Sequence, residues 1–450
     1  MPLNKSMHKF LFYSLKKHRM DRYNETDTLG LVNAALDLMF EFIDHHILEI
    51  IHDDLYDPIY EYTHSILWEQ FPNINMCEQA TSVARDLIFK FHIPKRAYKS
   101  TYLRQTMDKK PVLTQAKIAK LTIQIDALKS VKQPVQRTDE WYIFRNSTLT
   151  ASNICKVFVS EHTQSQLIIE KCEPININKF KTTNTESPMH WGQKFEPVSI
   201  LYYEYLNETK VTDFGCIPHA AYPFMAASPD GIVCDPGSPL YGRMLEIKNV
   251  VSREITGIPK MEYWVQMQIQ MEVCDLNECD FLETKFLEYA DEAEYAVDEG
   301  LDGMLFKGRF LQFYKDDAPV YVYPPFVQTE VEYVKWCQVE FKKNKDEGKE
   351  FVRTVYWQLV VASCVLVLRN NLWFQHALPL ISDFWTVLVE ERESGAYKDR
   401  INKKQKMARE HDKAMGDFPN SGCLIHLADS TYKSTPLLVV KKSNCLIDID

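Results

Sequence analysis

Asp230 follows Pro229 in the stretch Ser228-Pro229-Asp230-Gly231, and sixteen residues later the chain reads Glu246-Ile247-Lys248. Two carboxylates and a lysine brought to one point can hold Mg²⁺ and direct a water at a phosphodiester. Cleaving that bond requires a neutralised phosphate, a nucleophilic water and a stabilised leaving oxygen. Mg²⁺ takes few carboxylates, keeps several waters and prefers octahedral oxygen ligands; Mn²⁺ is expected to substitute for it. The spacing fits that chemistry. An aspartate just after a proline in a turn projects its carboxylate from a strand end. Glu246 and Lys248, two apart, share one face of a strand, while Ile247 turns into the core. The main-chain carbonyl of Ile247 is a further candidate metal ligand. Lys248 would then lie beside the metal, activating water or stabilising charge on the phosphoryl group, and partial desolvation gives it a route to a lowered pKa. Each piece alone is ordinary: Glu-x-Lys is also an exposed pair on an edge strand, and Pro-Asp-Gly is a good turn. Together, among apolar strand residues, they point to nucleic-acid hydrolysis.

Such a site must be carried by strands and helices in a particular order. Helical spacing is predicted through Trp191, Phe195, Val198, Leu201, Tyr202 and Tyr205. Short strands follow at 215–218, 222–227, 231–234 and 244–248, bounded by Gly, Pro and Asp. A helix over 263–273 and a strand over 279–286 complete an α-β-β-β-α-β order. Upstream, residues from about 29 to 92 read as helices, residues 95–134 as a basic junction ending in a polar helix, and Asp139-Glu140-Trp141 as a helix start. The polar segment 164–188 reads as a loop or short helical insert. Downstream, 310–326 reads as β and 379–389 as helix. The expected organisation is a helical N-terminal region (1–134), an α/β nuclease core (135–320) and a C-terminal α/β extension with a tail (321–450).

Composition bounds the rest. A chain of 450 residues, 45% hydrophobic, can bury a sizeable core. No window reaches the ~18 uninterrupted apolar residues of a membrane span; the best run, 359–368, reads as a buried strand or helix. The basic start of the chain makes a poor signal peptide. Eleven cysteines, odd in number and without a C-x-x-C pair, fit reduced thiols and argue against a zinc ribbon or an iron–sulfur cluster. We expect an intracellular protein with no membrane partner. The formal charge of −10 means that any nucleic-acid contact comes from local basic patches, such as 90–110 and 398–413. His45, His46 and His52 lack an H-E-x-x-H setting and read as surface or core histidines.

The residues also resemble a known group. Pro229-Asp230…Glu246-Ile247-Lys248 resembles the PD-(D/E)xK nuclease signature, and its surroundings resemble the phage lambda exonuclease branch, the YqaJ-type viral recombinases. Arg137-Thr138-Asp139-Glu140-Trp141 with Arg145 and Leu149-Thr150-Ala151-Ser152 is similar to that family's opening helix. Trp191-Gly192-Gln193-Lys194-Phe195-Glu196-Pro197 is similar to its G-x-x-x-E-P helix. Ser252-Arg253 follows the catalytic strand, and Tyr263-Trp264-Val265-Gln266-Met267-Gln268-Ile269-Gln270-Met271 resembles its Y-x-x-Q-x-Q-x-x-M helix. The likeness covers about residues 135–290. A looser one, from Trp357 to Trp385, is to versions carried by large eukaryotic DNA viruses.

The resemblance implies a restriction-endonuclease-like core, a mixed central sheet flanked by helices. It implies Asp230 and Glu246 as metal ligands, Lys248 as the catalytic lysine, Glu196 as a further carboxylate and Gln266 as an orienting group, with Gln268 on the other side of its helix. Read without the resemblance, Glu196 is a helix N-terminal acid, with Pro197 just after it. Arg145, Ser152, Ser228 and Arg253 fall where the family binds the 5′-phosphate, a task suited to arginine forks and hydroxyl donors. The implied activity is Mg²⁺-dependent 5′→3′ digestion of linear duplex DNA in viral replication or recombination, in the host cytoplasm or nucleus. The implied partners are double-stranded DNA ends and a single-strand annealing or replication protein. Phage relatives form rings around DNA; no stretch of this chain marks a ring interface, and its oligomeric state stays open. The alternatives are an endonuclease on the same scaffold and an inert DNA-binding or assembly protein. Two departures stand out: the extra turn Asp235-Pro236-Gly237-Ser238-Pro239 between the acids, and the long helical N-terminal region.

Overall fold

In the computed structural model, the described residues are 25–48, 56–71, 73–91, 113–176, 184–298, 306–316 and 318–401, with a few between 11 and 20. The chain divides into two units, 1–398 and 399–450, and the description below concerns the first. The basic patch at 92–110, His52 and nearly all of 398–413 lie outside the described residues.

Apolar residues at helical spacing build the N-terminal helices α1 (Glu25–His45), α2 (Tyr56–Gln70) and α3 (Ile74–Phe91), which bury Val32, Ala35, Met39, Ile59, Ala84 and Leu87. A fourth, α4 (Gln115–Ser130), begins at Thr114, whose hydroxyl accepts from Lys117 N, and buries Leu121, Ile125 and Leu128. Thr138 caps α5 (Asp139–Ser147) in the same way, through Trp141 N. Strand β1 (Leu149–Thr150) and the short α6 (Ala151–Ile154) follow. The segment 164–188, expected as a loop or short helical insert, opens inside helix α7 (Glu161–Cys172), capped by Ser160. Its polar first turns hid a short buried stripe of Leu167, Ile168, Lys171 and Cys172.

Helix α8 (Pro188–Asn207) starts at Ser187, with proline at its first position. Glu196 therefore lies well inside the helix, not at its N-terminus. Pro197 sits mid-helix, where it has no N–H to offer the carbonyl four residues back. The strands β2 (Val211–Thr212), β3 (Ile217–Pro218), β4 (Met225–Ala227), β5 (Gly231–Val233) and β6 (Met244–Asn249) come next. Helix α9 (Met261–Val273) crosses to β7 (Glu278–Glu288), and α10 (Glu292–Val297) leads to β8 (Lys307–Lys315) and β9 (Ala318–Val322). Helix α11 (Glu330–Asp346), β10 (Glu350–Leu368) and α12 (Asn371–Ser394) complete the described chain.

Among the described residues the main sheet has seven strands in the order β2-β5-β6-β7-β10-β8-β9. Only β6 and β7 pair in parallel, as a β-α-β crossover through α9 requires; the other neighbours are antiparallel. The mixed sheet flanked by helices is the expected α/β class. Strand β10 sits between β7 and β8, so the sheet continues through residue 320, where a boundary was expected. A small sheet, β1-β4-β3, carries the segment leading into Asp230. The extra turn between the acids forms a compact tip: Asp235 accepts from Gly237 N and Ser238 N, leaving the β5–β6 pairing intact. Gly231 is required for space, since a β-carbon there would lie 2.0 Å from Val211 Cγ1 across the β2–β5 pair. No helix among the described residues is long and apolar enough to cross a membrane, and no disulfide joins the described cysteines.

Candidate active site

Strand β6 buries Met244 through Ile247, and its alternation decides where the chemistry goes. Leu245 and Ile247 pack with Tyr203, Val233 and Leu282 on one face. Glu246 and Lys248 turn to the other face, toward α9. The Glu246 side chain is only 1% exposed, yet each oxygen is satisfied. Oε1 accepts from Gln266 Nε2 at 2.8 Å and from the Lys248 ammonium, and Oε2 accepts from Gln270 Nε2 at 2.7 Å. Gln266 and Gln270 are four apart on one helix, so both amides reach the same carboxylate. Gln268 faces away, as expected, donating to Leu368 O and accepting from Asn370 N.

Asp230 stands at the bend before β5 and accepts from Ile247 N at 2.7 Å, which sets it beside β6. Glu196 reaches the same place from α8 and is held by Arg137. Asp230, Glu246, Lys248, Gln266, Gln270, Glu196, Arg137 and Ile247 line one cavity of about 640 Å³. Arg145, Ser152, Ser228 and Arg253 line it too, so the structure brings every site residue expected from the sequence to one place. Arg145 donates to Ser152 Oγ at 2.9 Å and lies 4.3 Å over the Trp141 ring. Trp141 Nε1 donates to Ser228 Oγ at 3.2 Å. Arg253 is paired with the buried Glu283, which fixes its aim across the Tyr263 ring.

The electrostatics are those of acids crowded together. Burial raises Asp230 well above the usual carboxylate range, and the charges of Glu246 and Glu196 raise it further against Lys248 and the Ile247 N–H. Burial also raises Glu196; Arg137 opposes the shift and Glu246 adds to it. Lys248 departs from expectation. Burial works against its ammonium, but Glu246 and Asp230 outweigh it and the pKa is raised, not lowered. Lys248 is therefore a firmly charged cation here, suited to stabilising negative charge.

The donor set fits a hard divalent cation. Asp230 and Glu246 offer oxygen ligands, and the crowding that raises the Asp230 pKa is what a cation would relieve. Among the described residues no three His, Cys, Asp or Glu side chains converge as a ready cluster. Arg137 holds Glu196, and the amides and Lys248 occupy Glu246, which accounts for this. Mg²⁺ asks for less: one or two carboxylates and its own waters suffice.

Residues 140–277 match the model of the YqaJ-like viral recombinase domain. The match begins one residue before Trp141 and ends past α9, so it covers the cavity residues from Trp141 to Gln270. An uncharacterized protein of Acanthamoeba polyphaga mimivirus is 29% identical over 409 residues, 81% of this chain and 70% of its own length. Two crystal structures of an alkaline exonuclease from Laribacter hongkongensis, one in complex with dAMP, are each 21% identical. Each covers 60% of this chain and 100% of its own, with TM-scores of 0.34 and 0.33, too loose a superposition to build on.

Arg137 and Gln270 stand in the family-like motifs but have no site role read from the sequence, and Lys171 is not singled out there. Gln270 was legible as an amide one turn beyond Gln266. Lys171 was not, since nothing in a polar stretch marks a lysine as buried. Its ammonium donates to the Arg145 carbonyl, holding the helix that carries Arg145. Burial pushes Lys171 down to about 8, with Glu170 opposing and Arg145, Lys156 and Arg392 adding to the drop. The ordinary value is about 10.4. A depressed value means stability that is full above about pH 10.4 and is lost as pH falls through about 8. The protein is thus expected to gain on the order of 2–3 kcal/mol from pH 8 to 10, and Lys171→Met to lack that gain. Urea unfolding at several pH values checks this; parallel curves for the two proteins would refute it.

Proposed function

We propose that this protein is a metal-dependent deoxyribonuclease that digests linear duplex DNA from its ends, in the 5′→3′ direction, during recombination or replication of a viral genome. One observation carries the reading. A buried acid–acid–lysine set, Asp230 at the bend before β5 with Glu246 and Lys248 on β6, shares its cavity with two arginines and two serines suited to a terminal phosphate. Asp230, Glu246, the Ile247 carbonyl and Glu196 would hold Mg²⁺ or Mn²⁺. When bound, the ion would neutralise the scissile phosphate and acidify water.

The chain's own residues do the rest. Gln266 and Gln270 hold the Glu246 carboxylate in one orientation. Lys248, charged and 4.9 Å over the Tyr263 ring, stabilises the negative charge that builds on the phosphoryl oxygens. Arg145 and Ser152, already joined, present a fork and a hydroxyl to a 5′-phosphate, and Arg253 and Ser228 add a second fork and hydroxyl. A terminal phosphate dianion bound there would place the strand end at the acids, favouring end digestion over internal cutting.

The test is digestion, with Mg²⁺, of linear duplex labelled at the 5′ or the 3′ end, alongside a covalently closed circle. Early release of 5′ label as mononucleotide, faster from 5′-phosphorylated ends, with the circle spared, is the expected result. Cutting of the circle at a comparable rate would instead make the protein an endonuclease.

A further inference from the structure

We infer that Arg137 is a substrate-binding residue of this cavity, contacting a backbone phosphate of the bound strand while Glu196 holds it in aim; this rests on the DNA reading above. The backbone gives the first reason. Arg137 has φ of 67°, in the left-handed region that bulky residues avoid. Its neighbours pin it there. The Gln136 amide donates to Phe214 O at 2.9 Å and to Pro229 O at 3.3 Å, next to Asp230, and Thr138 N donates to Val135 O. Thr138 then caps α5. Such strain persists where the surroundings over-determine it, and it gathers at functional sites.

The Glu196 pair alone does not account for that conformation. The two side chains are 46% and 28% exposed, and an exposed ion pair adds little to stability. Its geometry is also incomplete as a salt bridge. Nη2 by itself reaches both carboxylate oxygens, at 3.1 and 3.0 Å, so the pair is not a two-nitrogen fork. Among the described residues Nε and Nη1 have no protein acceptor. A guanidinium held at one corner, with its other donors facing a cavity shared with Ser228, Asp230 and Glu246, has the shape that takes the non-bridging oxygens of a phosphodiester. This position is separate from the Arg145–Ser152 pair, so it serves an internal phosphate.

The test uses the full chain with Asp230→Asn, which removes cleavage, and adds Arg137→Gly. Glycine removes the guanidinium and accepts the left-handed backbone, so folding is preserved. Binding of a short duplex is followed by fluorescence anisotropy over a range of salt, in buffer containing Ca²⁺. Arg137→Gly is expected to weaken binding to all sequences alike and to lower the slope of log K against log salt by about 0.9. Arg137→Lys keeps the slope, since it keeps the charge. Binding and slope unchanged by Arg137→Gly would overturn the inference alone, leaving Arg137 a counter-ion of Glu196. A parent that binds no DNA would overturn both it and the DNA reading.

Discussion

Asp230→Asn is expected to abolish digestion of linear duplex, by on the order of 10³-fold, and at the same time to make the metal-free protein more stable. Both effects have one cause. Asp230 shares a buried cavity with Glu246 and Glu196, and burial and those two charges raise its pKa well above the usual carboxylate range. Asparagine keeps the size and can still accept from Ile247 N, the bond that positions the side chain. It removes one of three mutually repelling charges, and with it the oxygen ligand a cation needs. The pH dependence follows from the sign of the shift. A folded pKa raised above the unfolded value of about 3.9 gives stability that is full below that value and lost as pH rises through the folded one. The advantage of Asp230→Asn should therefore widen with pH and reach a melting temperature roughly 2–4 °C higher at neutral pH. Gel digestion with Mg²⁺ and thermal unfolding in chelator check the two halves. Wild-type digestion by the variant would remove Asp230 from the site, and an unchanged melting temperature would remove the crowding argument. A stability optimum sacrificed at one residue is what selection for a charged site leaves behind.

The placement of this site was legible wherever short-range periodicity governs it. Glu246 and Lys248 share a strand face because the strand period is two, and Gln266 and Gln268 part company because the helical period is 3.6. What the sequence missed was set by long-range contacts. Glu196 was expected as a further site carboxylate and lines the cavity; only the other reading of it, as a helix N-terminal acid, fails, because Ser187 and Pro188 begin the helix nine residues earlier. A proline marks a helix start only statistically, and here tertiary packing of Phe195 and Val198 holds it mid-helix. The expected drop in the Lys248 pKa reversed because local sequence reveals desolvation but not how closely Glu246 and Asp230 approach. The insertion of β10 between β7 and β8 pairs it with residues 69–90 positions away in β7 and 36–51 away in β8, which no local pattern encodes. What the sequence does mark there is a long apolar run, which forms a strand as expected but is only partly buried: Leu359, Val365 and Val367 are covered, while Val360, Val361 and Leu368 are exposed.

Arg243→Met is expected to cost about 3–5 kcal/mol of stability, the largest such effect we anticipate for a residue outside the cavity. Arg243 enters β6 from the end opposite Lys248 and is almost fully buried. Its Nη1 donates to Asp280 Oδ1 at 2.8 Å and its Nη2 to Glu278 Oε2 at 2.6 Å. Tyr203, from α8, donates to the other oxygen of Asp280 at 2.8 Å. Burial opposes the guanidinium charge, but Asp280 and Glu278 override it and raise the pKa further. Removing Arg243 takes the guanidinium from the buried Asp280 carboxylate, leaving a charge without its cation rather than a merely lost contact. Urea unfolding measures the loss. The double variant Arg243→Met with Asp280→Leu should recover most of it, because apolar groups replace a buried ion pair at small net cost. A single variant within 1 kcal/mol of the parent would contradict the argument. The network also joins α8, which carries Glu196, to β6 and β7, which carry Glu246 and the Glu283 partner of Arg253. Its loss should therefore loosen the spacing between the acids before it unfolds the chain, so that digestion falls at temperatures where the secondary structure of the single variant is still intact.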